Sequence, residues 1–238
     1  MLKNITIPSN AQFLDSGWCT PFVWSNIDSV TFPATLTLIA GFGSSFVKTI
    51  TFEQNSQLTK ILGSTFEDCF SLAFDVSNIP QSVTTIEQRA FKRCWNATGT
   101  LNLPNIASLG YRSFYETGIT SIQNLGSITS IPEECFRACA SLTSIVLPQS
   151  ITSIENGAFA SCNNLILDVS TLPSSITTIG SEAFVNCANV TGTLNLPNLT
   201  NITGIAFRNT NITSISNLGS ITTLSGGTFY GCRNLTSV

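Results

Sequence analysis

Ala138-Cys139-Ala140-Ser141-Leu142-Thr143-Ser144-Ile145-Val146-Leu147-Pro148-Gln149-Ser150-Ile151-Thr152-Ser153-Ile154-Glu155-Asn156-Gly157-Ala158-Phe159 is a 22-residue stretch whose apolar positions repeat along the chain. Leu142, Ile145 and Leu147 stand at L-x-x-L-x-L spacing, followed by Ile151 and Ile154. The run Ile145-Val146-Leu147 alternates with period two, which turns its outer pair inward and Val146 outward on a short strand. Pro148 has no N–H for a ladder and ends that strand. The chain then turns and returns Ile154 and Phe159 to the interior.

Working outward, the marker phenylalanine recurs at Phe66, Phe91, Phe114, Phe136, Phe159, Phe184, Phe207 and Phe229, with spacings of 25, 23, 22, 23, 25, 23 and 22. The spacings themselves repeat, so a four-coil block is duplicated with a 93-residue period. Thr98 to Asn105 and Thr191 to Asn198 both read TGTLNLPN. No coil of this size can bury both sides of its apolar stripe, so neighbouring coils must stack into a solenoid. About ten coils at ~4.8 Å per strand make a body roughly 50 Å long with a parallel sheet along one face. Residues 1–60 read as degenerate coils rich in Phe13, Trp18, Phe22, Trp24, Phe42, Phe46 and Phe52, expected to cap one end, and 61–238 as regular repeats. The sequence stops halfway through a strand segment at Val238, so an uncapped C-terminal edge is expected, open to self-association.

Composition removes several function classes. Only 10% of residues are charged and the net charge is −3, which provides no basic footprint for nucleic acid or an anionic bilayer. Histidine is absent, and with it the commonest general base and metal ligand. The expectation is a non-enzyme with no catalytic residues, no metal and no cofactor. No run reaches the length of a membrane span, and the first residues lack the apolar core of an export signal.

The combination A-F-x-x-C followed by L-T-S-I-x-L-P-x-S-I-T-S-I-x-x-x-A-F, clear from about Val30 onward, resembles the BspA-type, or treponemal-type, leucine-rich repeats. That resemblance implies a right-handed, mainly β leucine-rich-repeat solenoid whose 22–25-residue coils are closed by short turns or 3-10 segments. It also implies a surface-exposed or secreted adhesion or binding module, whose partner is a host matrix or cell-surface protein or a glycan. Similar arrays occur in gut bacteriophages, so a structural or receptor-binding part of a virion, or a cytoplasmic assembly component, is the alternative reading.

Six cysteines, Cys69, Cys94, Cys139, Cys162, Cys187 and Cys232, stand three residues after the marker, where Thr117 and Thr210 replace them in other coils. Because Thr substitutes, small buried thiols are expected ahead of a disulfide or metal ladder. Cys135 with Cys139 is a lone pair at spacing four, and Cys19 stands apart. Seven sequons, at Asn4, Asn96, Asn189, Asn198, Asn201, Asn211 and Asn234, follow from a repeat built of Asn, Thr and aliphatics. Charged residues of both signs gather around the marker, as on a solvated turn. The expected ligand-facing positions are the outward strand residues Asp75, Thr100, Asn102, Gln123, Asn124, Val146, Asp168, Thr193, Asn195, Ser216 and Asn217, a row of short polar side chains on a rigid sheet.

Overall fold

The computed structural model describes residues 3–11, 13 and 21–238, and shows a parallel β-solenoid in which each coil has three walls. On the first wall the strand after each L-x-x pairs in parallel with its neighbours. Asn4–Thr6, Ser29–Phe32 and Thr49–Phe52 form one group. Phe74–Asp75, Ala97–Asn102, Gly118–Asn124 and Ser144–Ile145 form the next. Leu167–Asp168, Val190–Asn195 and Asn211–Asn217 form the last.

The second wall is a further set of two-residue parallel strands drawn from the I-T-S-I segment. Leu38–Ile39 to Ser108–Leu109 make one sheet of four, and Ser130–Ile131 to Asn201–Ile202 another. The sequence pattern marks this segment only as a return of Ile to the core, because two residues are too few to display an alternation.

The third wall is built of turns rather than strands, yet its backbone bonds also run from coil to coil. The N–H groups of Phe91, Phe136 and Phe184 donate to the carbonyls of Ser113, Ala158 and Ala206 at 2.8–2.9 Å. The residues two before and two after do likewise, as Arg89 to Tyr111 and Arg93 to Tyr115, both 2.8 Å. Aiming three successive alternate N–H groups the same way bends the backbone into the left-handed region. Of fifteen non-glycine residues with positive φ among the described residues, fourteen lie two positions from a stacked phenylalanine, so the strain belongs to the fold rather than to any one coil.

Inside the walls the phenylalanines form one column. Phe22, Phe42 and the eight markers stack in nine steps with ring centroids 4.7–5.8 Å apart and planes within 25° of each other. The column thus extends into residues 1–60, where coils of unequal length hide it from the spacing. Trp18 and Cys19 lie outside the described residues.

Beside the rings runs the thiol column. Each Sγ donates to the carbonyl of the preceding coil's phenylalanine: Cys94 to Phe66 at 3.0 Å, Cys139 to Phe114 at 3.1 Å, Cys162 to Phe136 at 3.1 Å and Cys187 to Phe159 at 3.0 Å. Thr117 and Thr210 turn their hydroxyls to their own coil's phenylalanine carbonyls, Phe114 and Phe207, at 2.9 and 2.8 Å. Burial pushes the thiols up, to about 11 for Cys69 and Cys139 and about 12 for Cys135 and Cys187. They are small buried donors that tie coil to coil.

Candidate functional site

The outward strand row is assembled by register. Thr100 pairs with Ser121 and Asn102 with Asn124, and Thr193 with Ser214 and Asn195 with Asn217 repeat the arrangement in the second block. The sequence therefore places like beside like, and the strand face carries two copies of one polar pattern.

Much of that polarity is already engaged within the protein. Thr100 shares a hydrogen bond with Ser121 at 2.7 Å, and Thr193 with Ser214 at 2.6 Å. Asn124 and Asn217 accept from the N–H groups of Gly126 and Gly219 at 2.9 Å, closing the turns that end their strands. Ser216 reaches the Leu194 carbonyl at 3.4 Å. Exposed Asn102, Gln123 and Asn195 display their amides between these fixed neighbours, and Val146 is 60% exposed.

Asp75 and Asp168 are exposed as expected and also have a local task. Each caps a three-residue 3-10 turn, accepting from the N–H of Ser77 or Ser170 at 2.9 Å. The Ser170 backbone bond holds Asp168 below the usual carboxylate range. Each carboxylate also overlies a glycine of the next coil, where a Cβ on Gly99 or Gly192 would stand 2.2 or 2.0 Å from the Asp Oδ1. That is the reason for Gly inside both TGT segments. The row of short polar positions is thus one surface in two copies, part of which holds the rest in place.

Four of the seven sequon asparagines are similarly engaged. The amides of Asn96, Asn189, Asn198 and Asn211 donate to carbonyls of the preceding coil at 2.7–3.0 Å.

The turn wall differs from the strand face in kind. Its charges form ion pairs between coils: Lys92 with Glu67 at 2.8 Å, Arg93 with Asp68 at 2.7 Å, Arg112 with Glu134, and Arg137 with Glu182 at 2.8 Å. The Lys92–Glu67 pair is largely shielded, so this wall is less solvated than a plain turn. Arg112 lies over the rings of Tyr111 and Tyr115 at 4.7 and 5.2 Å. Phe70 and Trp95 pack against each other outside the coils with centroids 4.6 Å apart and planes tilted by 31°. Position-by-position comparison of the two blocks is the sequence signal that singles out this wall. Where the first block has Glu67, Asp68, Phe70, Lys92, Arg93, Trp95, Arg112 and Glu116, the second, 93 residues on, has Ala160, Ser161, Asn163, Val185, Asn186, Ala188, Ile205 and Asn209.

Known proteins share this geometry. The chain is similar over 98% of its length, at 22% identity and TM-score 0.67, to a leucine-rich repeat protein of Bacteroides ovatus, of which it spans 62%. It is similar to the pneumococcal vaccine antigen PcpA over 97% of its length and 76% of that chain, at 19% identity and TM-score 0.52. The leucine-rich repeat protein of T. pallidum matches 79% of this chain and 78% of its own, at 22% identity and TM-score 0.52. These likenesses show the fold. No curated protein matches. The family model for the BspA type leucine rich repeat region matches in 6 copies over residues 1–98, 73–191 and 166–238, and the chain belongs to that family.

Proposed function

We propose that this chain is a non-catalytic binding module of a surface-exposed protein, holding a protein or glycan partner against the outer faces of its coils. The observation that carries the reading is the duplicated strand face. Asn102 and Asn195 project from strands whose neighbouring hydroxyls and amides are already fixed by internal bonds, so a partner meets a surface with little left to order. Two like patches one block apart also allow one extended partner to be held twice, which raises avidity without new contacts. A solenoid whose interior is filled by aliphatic and aromatic stacking keeps its chemistry outside, in agreement with a scaffold for binding. No helix among the described residues is long and apolar enough to cross a membrane.

The test is Asn102→Arg with Asn195→Arg, assayed against a panel of immobilised extracellular-matrix proteins and glycans. Loss of binding at unchanged urea midpoint is the expected outcome. Undiminished binding would move the site off the strand face.

A further inference from the structure

The duplication supplies an internal comparison that bears on the turn wall. The two blocks share their core, including Phe66 and Phe159 and Cys69 and Cys162, and their exposed caps Asp75 and Asp168, so the scaffold makes the same demands at both places. At Phe70, Trp95 and Glu116 of the first block the second has Asn163, Ala188 and Asn209, and it stacks without interruption. Folding therefore does not require aromatic rings at these exposed positions, yet Trp95 shows 53% of its surface to solvent. An aromatic pair that exposes apolar area and adds nothing to the core marks a binding site.

Its geometry identifies the chemistry. Phe70 backs one side of the indole at 4.6 Å. At the equivalent position of the next coil stands Gly118, where a Cβ would meet the Trp95 carbonyl at 2.5 Å, so this position sends no side chain toward the ring. The second block has Asn211 there, and its amide bonds to the Ala188 carbonyl at 2.7 Å. Glu116 stands at the rim, its Oε2 at 3.5 Å from the indole Nε1, a long contact that leaves acceptor capacity. The cations nearby are already paired, Arg93 with Asp68 at two points and Lys92 with Glu67. We propose that Trp95, backed by Phe70 and rimmed by Glu116, is a platform for a neutral hexopyranosyl unit. The electron-rich indole face attracts the C–H face of a pyranose, while the carboxylate accepts from its hydroxyls. With those cations paired, an acidic protein epitope finds no free positive charge here to complement. The platform rests on the reading of the chain as a binding module but uses a different wall.

The test is titration of the 15N-labelled protein with methyl β-D-galactopyranoside and, separately, cellotriose, following the Trp95 indole N–H, identified by its loss in Trp95→Ala. A saturable shift is expected at millimolar sugar. Phe70→Asn with Trp95→Ala, the residues of the second block, is expected to weaken binding at least tenfold by saturation transfer without changing the urea midpoint. Response to the galactoside alone assigns the platform to terminal galactose of glycans, and response to cellotriose alone to β-glucan. Asn102→Arg with Asn195→Arg leaves these shifts intact, so failure on one wall is separable from failure on the other. Absence of any shift at tens of millimolar of either sugar overturns the platform. So does binding to a glycoprotein that survives enzymatic removal of its glycans but is lost in the double variant, which would make the patch a protein contact.

Discussion

Ala138 occupies the left-handed region, φ 58°, so that its N–H can donate to the Ala160 carbonyl at 2.8 Å. Ala138 sits on a half-exposed turn, and glycine enters this region without steric cost. Ala138→Gly is expected to stabilise the protein by about 0.5–1 kcal/mol in urea denaturation, after allowance for glycine's freer unfolded chain. A destabilisation would show that the positive φ is not strained there. Gly192 gives the opposite case, for its φ is 94° and a Cβ would stand 2.0 Å from Asp168 Oδ1. Gly192→Ala is expected to cost about 2–3 kcal/mol, from the backbone region and the clash together. Combined with Asp168→Ala the clash disappears and the two losses should fall short of additive, a coupling that a double-mutant cycle reads directly. Additive losses would mean that the carboxylate swings away at no cost.

The ring and thiol columns are the elements on which the stack depends. Phe159 is fully buried between Phe136 and Phe184 at 5.6 and 5.5 Å. Phe159→Ala should cost about 3–5 kcal/mol, and a loss under about 1 kcal/mol in chemical denaturation would contradict the stacking. The thiols make a pH prediction whose sign follows from their burial. Cys69, Cys94, Cys135, Cys139, Cys162 and Cys187 all titrate above the ordinary value of 9.0. The folded state keeps the proton that the unfolded chain releases, so their contribution is complete below pH 9.0, and that of Cys69, Cys135, Cys139 and Cys187 is lost as pH rises toward about 11–12. Each such thiol removes about 1.4 kcal/mol per pH unit in that window, and the urea midpoint should drop steeply across it. A midpoint flat to pH 11 would mean the column is open to water. The ring column is legible in the sequence because a large aromatic recurring every 22–25 residues falls into line only when the coils stack. The second strand wall is not, since pairs such as Ser153–Ile154 are too short to show a period. Nor are the left-handed turns, because Arg89, Arg93 and Glu116 carry none of the glycine signal that usually marks them. On the strand face, period-two alternation is enough to bring out Asn102 and Asn195, both exposed. The Asp75 and Asp168 caps depend instead on a 3-10 turn that no local pattern announces.

For the whole molecule, the duplication makes the solenoid divisible. Stability in such an array is a sum of coil and neighbour terms, so a block is removable wherever the cut ends meet the same neighbours they had before. Ala97 precedes TGTLNLPN in the first block and Val190 precedes it in the second, and both are buried at the same register of the first wall. Deleting residues 98–190 joins Ala97 to Thr191 and leaves 145 residues, 238 less 93. In the joined coil Gly192 takes the place of Gly99 beneath Asp75, and Leu194 that of Leu101 in the core. The shortened chain is expected to fold with the same far-ultraviolet signature per residue, to unfold in one transition, and to melt below the parent because four coil interfaces are gone. Its urea m-value should fall roughly in proportion to the surface removed. An unfolded product would show that the blocks are not interchangeable even though the Lys92–Glu67 and Arg93–Asp68 pairs of the divergent turn wall both lie in the retained residues.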